Sequence, residues 1–241
     1  MPRLPQGQEE AHVVRGEVEL TAFEAQHENA ARRSQTYWLL SRLFLEQPAQ
    51  PMLDELAPAL RMASSVEGAG AAEVSALRGA VDTARASSHG ITDLQVEFTR
   101  LLRGVGKSSG APEPYESMVR EGRLFGDATE AVAAAYLEAG YQDLVPDAGP
   151  PDHVGTELRF MSVLCFREME AWAAGDEEGA RNWIEREQRF LDEHLLRWVP
   201  QHCQRIAELT THAFYLAVAT LAAAACKQDR DDVAALIDVG R

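Results

Sequence analysis

The 241-residue chain contains only three cysteines, Cys165, Cys203 and Cys226, which lie far apart in the sequence. No two of them have the C-x-x-C spacing, and this excludes the common zinc-binding and thioredoxin-type motifs. Three scattered cysteines cannot form a disulfide framework. We therefore expect three buried thiols in a reducing compartment.

Long hydrophobic runs are also missing. The longest one, Ala213–Cys226, spans 14 residues, fewer than the ~20 needed to cross a bilayer as a helix, so we predict a buried helix and no stable membrane insertion. A twin arginine, Arg32-Arg33, precedes a short apolar stretch that Ser41 interrupts, and no small-residue cleavage site follows. We interpret this pair as part of the solvated face of a helix rather than as an export signal, and we expect a cytoplasmic protein.

Positive charge is scarce, since 23 Lys and Arg face 38 Asp and Glu, and the net charge is −15. Such an acidic surface repels phosphate backbones, which argues against nucleic acid as a partner and favours a cationic one. Apolar residues make up 46% of the chain and charged residues 25%. These values are typical of a globular protein, and a chain of this length can bury a large core.

Strand-like alternation, hairpin dipeptides and internal repeats are absent, whereas helical spacing recurs along the chain. Tyr37, Leu40 and Phe44, for example, fall on one helical face. We predict an all-α, single-domain bundle of about eight to ten helices.

Two tails are predicted to flank this bundle. Residues 1–18 are polar, contain two prolines and show no useful period, so we expect a mobile N-terminal tail. The helical domain is predicted at 19–227, where Thr21 and Glu24 have the spacing of a capping box. Residues 228–241 are expected to form a charged C-terminal tail.

Two long loops, Gly104–Pro114 and Gly140–Pro151, interrupt the helical pattern, and loops of this length are often functional. The first contains Gly106-Lys107-Ser108, which looks like the end of a phosphate-binding P-loop. The early glycine of that pattern would stand at Leu101, and no strand precedes the loop. A flexible loop is therefore favoured, with Lys107 kept as a weak candidate for nucleotide binding.

His153 and Glu157 follow the second loop with i, i+4 spacing, which could place two metal ligands on one helix face. Third ligands would have to come from the distant His194 or His202, so we favour a first-turn histidine beside a carboxylate. Asp152 stands where the N-cap of this helix belongs. A metal- or GTP-dependent hydrolase using His153 and Glu157 or Lys107 stays open as an alternative, and so does a helical adaptor for a folded partner.

The ends of the two loops carry a more specific pattern, P-Y-E-S at 114–117 and P-x-D-H-V-x-x-E-L at 150–158. A helix with F-x-x-L-L at 98–102 precedes the first, and H-L-L-R-W at 194–198 follows the second. In this order the segments resemble the TorD/DmsD/NarJ family of redox-enzyme maturation chaperones, over residues 34–225. Leu102 stands where many members carry phenylalanine.

The resemblance implies an all-helical cytoplasmic chaperone that is not an enzyme and has no cofactor. Family members bind the N-terminal leader of the catalytic subunit of a molybdopterin oxidoreductase. Such leaders often carry a twin-arginine motif before an apolar stretch, and export is delayed until the cofactor is inserted. Some members are reported to bind guanine nucleotides weakly, which keeps Lys107 as a candidate. The identity of the client, its export and a homodimeric state are left open.

In the family, leader binding is linked to a proline and an Asp-His pair, which correspond here to Pro150, Asp152 and His153. Residue chemistry extends this set, because leader arginines need carboxylates and the apolar stretch needs an apolar groove. We expect one shared cleft between the two loop ends. The complete predicted leader-binding set is Pro114, Tyr115, Glu116, Ser117, Pro150, Asp152, His153, Glu157, Phe98, Leu102 and Met161.

Overall fold

The structure is a computed structural model that describes residues 6–63, 70–103, 113–142, 144–145 and 149–239. These residues form α-helices, one π-helical turn and no strand, which confirms the all-α prediction. The helices are α1 (Gln6–Leu45), α2 (Gln50–Ala63), α3 (Ala71–Ala86), α4 (Gly90–Leu102), α5 (Glu116–Glu121), α6 (Asp127–Glu138), α7 (Val154–Ala173), α8 (Glu177–Phe190), α9 (Leu196–Leu209) and α10 (Ala213–Val239). The π-helical turn (Leu191–Leu195) joins α8 directly to α9.

Helices α1 and α7 lie antiparallel along one another and form the centre of the bundle. Phe23, in the first half of α1, packs on Trp172 near the end of α7, with ring centroids 5.5 Å apart. At the other end, a Cβ atom on Gly155 would lie 2.5 Å from Cγ of Leu45. Only glycine therefore lets the start of α7 approach α1 this closely, and the end of the second loop is held against α1.

Helix α10 covers the other side of the core. Its first half is the apolar segment Ala213–Cys226, in which Phe214, Tyr215, Val218 and Cys226 are buried, as the sequence predicts. Cys165, Cys203 and Cys226 are buried and free, which also agrees with the prediction. Within the described ranges, no helix combines the length and the apolar character needed to span a membrane.

The ends of the helices differ from the predicted boundaries. Helix α1 begins at Gln6, so Thr21 lies inside the helix and the prediction of an N-cap there is wrong. No proline occurs between Gln6 and Leu45 to interrupt the helix. Helix α10 continues to Val239, past the predicted boundary at 227. The division into two tails and a helical domain stays a prediction.

The interpretation of the twin arginine as a solvated pair is wrong for Arg33. Its side chain is only 5% exposed, whereas Arg32 is exposed. The Arg33 guanidinium donates hydrogen bonds to Glu168 of α7, at 2.8 Å, and to Glu187 of α8 and Asp229 of α10. A buried charge needs such partners, and these three lie far away in the sequence. We call Arg33, Glu168, Glu187 and Asp229 the buried ion cluster.

Candidate functional site

The two motif-bearing loop ends meet, as the sequence predicts. The backbone N–H of Glu116 donates to the carbonyl of Asp152 at 2.9 Å, and the N–H of Val154 donates to the carbonyl of Pro114 at 2.9 Å. Tyr115 and His153 form an isolated antiparallel bridge between these two bonds. We call the segments 114–117 and 150–154 the loop junction. The sequence motifs therefore describe one place in the fold rather than two.

Asp152 joins the two sides of the loop junction through its side chain. It is fully buried, and its Oδ2 accepts a hydrogen bond from the N–H of Ser117 at 2.9 Å. The prediction that Asp152 caps α7 is wrong, because His153 occupies the N-cap and its Nδ1 accepts from the N–H of Gly155 at 3.1 Å. The carboxylate thus caps the start of α5, the helix across the junction.

Three carboxyl groups predicted to bind leader arginines, those of Glu116, Asp152 and Glu157, are all fully buried. Glu116 bonds Arg120 and lies 2.9 Å from Nδ1 of His194, which the π-helical turn carries. None of the three therefore presents a free carboxylate to solvent. Their burial depends on how α5, α7 and α9 pack, which the sequence does not reveal.

The carboxyl group of Glu157 is fully buried in the bundle and has a shifted pKa. Its Oε2 accepts a hydrogen bond from the indole N–H of Trp198 at 3.0 Å. Burial, together with the neighbouring Glu116 and Asp152, raises the pKa of Glu157 well above its usual value. Glu157 is therefore an internal hydrogen-bond acceptor of the bundle rather than an ion-pair partner for a ligand at the surface.

The apolar members of the predicted set belong to the core. Phe98, Leu102 and Met161 are buried in the hydrophobic core, so they do not line an open groove. Tyr115 and Pro150 are partly exposed and form the accessible surface of the predicted set. Lys107, the candidate for nucleotide binding, lies outside the described residues.

The metal-binding interpretation finds no support in the geometry. The part of the chain that the structure describes contains no group of three or more His, Cys, Asp or Glu side chains able to hold a metal ion. His153 serves as an N-cap, and burial together with the nearby Arg103 lowers its pKa to about 4. Of the two suggested third ligands, His194 lies against Glu116, and His202 packs on the indole of Trp198.

A groove that the sequence did not predict lies beside the loop junction. It has a volume of about 440 Å³ between α5 and α9, and its lining includes Met118, Val119, Gln201, His202, Gln204 and Glu208. Glu113 and Arg205 complete the lining. We call it the α5–α9 groove. The spacing of Gln201, Gln204 and Glu208 on one helix face is a signal that could have indicated it.

Comparisons with known proteins agree with the resemblance seen in the sequence. The profile of the family described as nitrate reductase delta subunit matches residues 65–204. The protein named Chaperone protein TorD of Vibrio atlanticus (strain LGP32) is 28% identical over 208 residues, which cover 82% of this chain and 93% of the relative. That of Vibrio vulnificus (strain YJ016) is 28% identical over 207 residues, with 83% and 94% covered.

Among solved structures, a protein from Archaeoglobus fulgidus that is assigned to redox enzyme maturation is similar to this chain. It is 22% identical, with a TM-score of 0.45, and the match covers 81% of this chain and 91% of that one. The family profile spans both loop ends and most of α9, so the loop junction and the larger part of the α5–α9 groove lie within the matched region.

Proposed function

The chain belongs to the nitrate reductase delta subunit family together with the TorD-type redox-enzyme maturation chaperones, and on that premise we propose that it binds the N-terminal leader of a molybdenum-containing oxidoreductase subunit. The family prediction is confirmed. Its relatives are named chaperones, a role without catalysis, so the prediction that the chain is not an enzyme is confirmed as well. A redox enzyme is thus the client of this maturation chaperone.

The meeting of the two motif-bearing loop ends supports leader binding more than any other observation. Two backbone hydrogen bonds of 2.9 Å and the carboxylate of Asp152 fix one loop end on the other. Such a fixed junction places Tyr115, Pro150 and the adjoining surface at one site without loss of loop entropy on binding. A net charge of −15 adds long-range attraction for a leader that carries arginines.

Leader binding would account for the other steps proposed for this protein. A leader held by the chaperone is not available to an export system, so export waits while the client stays in its apo form. Release after insertion of the molybdopterin cofactor would then free the leader. We place this sequence of events in the cytoplasm, where a twin-arginine leader is still attached to a protein that has not been exported.

Calorimetric titration of the full chain with a synthetic leader peptide, which carries a twin-arginine motif followed by an apolar stretch, tests this proposal. We expect one peptide to bind per chain, and we expect affinity to fall as salt is raised, because salt screens the charge attraction. A peptide in which both arginines are replaced by glutamine should bind more weakly.

The control is a scrambled peptide of the same composition and charge. Equal affinity for the scrambled peptide would mean non-specific attraction to an acidic surface, and absence of binding to the leader would favour an adaptor for a folded partner. Either result would contradict the proposed function.

A further inference from the structure

We propose that the α5–α9 groove is the surface that holds the arginine-bearing, extended segment of the client leader. This inference rests on the proposed function and names the residues that carry it out. His202 and the two glutamines would bond the peptide backbone, and Glu208 and Glu113 would receive the arginines. The groove adjoins the loop junction, because α5 begins at Glu116, directly after Tyr115.

His202 provides the observation that points to a ligand. Its side chain lines the groove, yet it is only 1% exposed, and neither ring nitrogen has a hydrogen-bond partner among the described residues. The ring packs between Trp198 and Phe44, with centroids 5.2 and 6.4 Å away, and these aromatic neighbours leave its nitrogens unbonded. A buried polar group without a partner is costly, so such a group in a native fold calls for an explanation.

The chemistry of this imidazole suits a peptide backbone. A neutral histidine has one N–H donor and one acceptor nitrogen, as a peptide unit has one acceptor and one donor. Burial, together with the nearby His153, lowers the pKa of His202 to about 3. The ring therefore stays neutral at physiological pH and offers the same pair of bonds whatever the leader sequence.

The exposed face of α9 supplies the remaining contacts. Gln201 and Gln204 are exposed, and their amides can donate to and accept from an extended backbone. Glu208 is 50% exposed and accepts from Arg205 at 3.2 Å and from the amide of Gln204 at 3.1 Å. Exposed ion pairs of this kind are weak, so a leader guanidinium can replace Arg205 at little cost. Met118 and Val119 provide apolar contact on the opposite wall.

This assignment also resolves where the leader arginines go. The motif carboxyl groups of Glu116, Asp152 and Glu157 are buried, and each makes at least one hydrogen bond within the bundle. None of them lines the groove, so a leader in the groove meets other carboxylates. Glu208 is exposed and Glu113 is partly exposed, and both lie in the groove next to the junction. The charge complementarity that the proposed function needs is therefore found beside the motif rather than within it.

Two charge substitutions on α9 should change leader affinity in opposite directions. Glu208→Gln should weaken binding by roughly two- to fivefold, because it removes an attraction, and Arg205→Gln should strengthen binding by a similar factor, because it removes a repulsion.

Glu170→Gln and Arg181→Gln are matched controls that change the net charge equally. Glu170 is 46% exposed and paired with Arg167, and Arg181 is 51% exposed and paired with Glu177, both outside the groove. The controls should bind as the unaltered chain does.

His202→Phe tests the backbone contact. It retains a ring of similar shape and removes both nitrogens, so leader affinity should fall roughly tenfold while the melting temperature does not fall. A lower melting temperature with unchanged affinity would assign His202 a structural role. If the unaltered chain binds the leader and all groove variants match their controls, the groove assignment is overturned and the proposed function stands. If the unaltered chain does not bind the leader, both fail.

Discussion

The Arg33→Met variant is expected to lose about 3–5 kcal/mol of folding stability, the usual result of removing one partner from a buried ion pair. Arg33 is 5% exposed, and its guanidinium is the common partner of Glu168, Glu187 and Asp229. Without it, the three acidic groups remain in the interior and have no cationic partner among the described residues. Burial already raises the pKa of Glu187 well above its usual value, which shows how poorly this environment solvates a carboxylate.

The effect extends over the whole bundle because the buried ion cluster joins four helices. Arg33 belongs to α1, and its partners belong to α7, α8 and α10. Tyr37 and Trp172 add hydrogen bonds to Asp229, at 2.8 Å, and to Glu168, at 3.0 Å. Arg33→Lys should retain little of the stability that Arg33 provides. An ammonium group lacks the planar guanidinium geometry that lets one side chain bond several carboxylates at once.

Urea denaturation of the full chain measures this loss. The neighbouring Arg32→Met is the control, because Arg32 is exposed and bonds only the side chain of Asn29 in the described structure. It should change stability by less than about 0.5 kcal/mol. Neutralising the three acids in the Arg33→Met background, as Gln, Gln and Asn, should recover stability. If Arg33→Met and Arg32→Met unfold at the same urea concentration, the ion cluster does not hold the helices together.

The second large effect concerns the pH dependence of stability at His202. Burial lowers the pKa of His202 to about 3 in the folded chain, whereas an unfolded histidine titrates near 6.5. Below pH 6.5 the unfolded state binds a proton that the folded state does not, so folding stability falls as pH falls towards 3. A phenylalanine at position 202 binds no proton in either state. The free energy of unfolding of His202→Phe, relative to that of the unaltered chain, should therefore rise by about 1.4 kcal/mol for each unit by which the pH falls below 6.5.

Glu157 should show the opposite slope. Its pKa is raised in the folded chain by burial and by Glu116 and Asp152, so the folded state holds a proton that the unfolded state releases above about pH 4.3. Stability from this group is present at low pH and is lost as pH rises towards the folded pKa. Glutamine mimics the protonated acid and does not titrate. The folding stability of Glu157→Gln, relative to that of the unaltered chain, should thus increase as pH rises.

Urea denaturation of the two variants and the unaltered chain at several pH values between 4.5 and 8 separates these slopes. The difference in unfolding free energy between His202→Phe and the unaltered chain must grow as pH falls. The corresponding difference for Glu157→Gln must grow as pH rises. Because both differences are taken against the same chain, the titration of all other groups cancels to first order. A difference that does not vary with pH for either variant would mean that the residue titrates alike in the folded and unfolded states.

Local patterns in the sequence were sufficient to predict the fold class, and the family resemblance was needed to predict that the two motifs meet. Helical spacing is a property of neighbouring residues, and the buried segment Ala213–Cys226 needs no knowledge of its partners to be identified. The junction of Tyr115 with His153 followed from the family resemblance, which ties the two loop ends to one site. These are features that either one segment or one motif pair determines.

The burial of individual charges was beyond the sequence because it depends on distant segments. Arg33 finds its partners 135, 154 and 196 residues away, so an arginine in a charged helix looks like a surface residue. Glu116 and Glu157 were assigned to a surface cleft for the same reason, since nothing local shows that α5, α7 and α9 enclose them. The unbonded ring of His202 likewise becomes visible only once its neighbours are placed.

Hydrogen–deuterium exchange of the full chain, with and without the leader peptide, tests most directly whether the leader is held beside the loop junction. The predicted result is slower exchange in α5 and α9, together with the amides of 114–117 and 150–154, while α2 and α3 remain unchanged. Binding of the leader with protection confined to α2, α3 or the outer face of α8, and none in α5 or α9, would contradict this account.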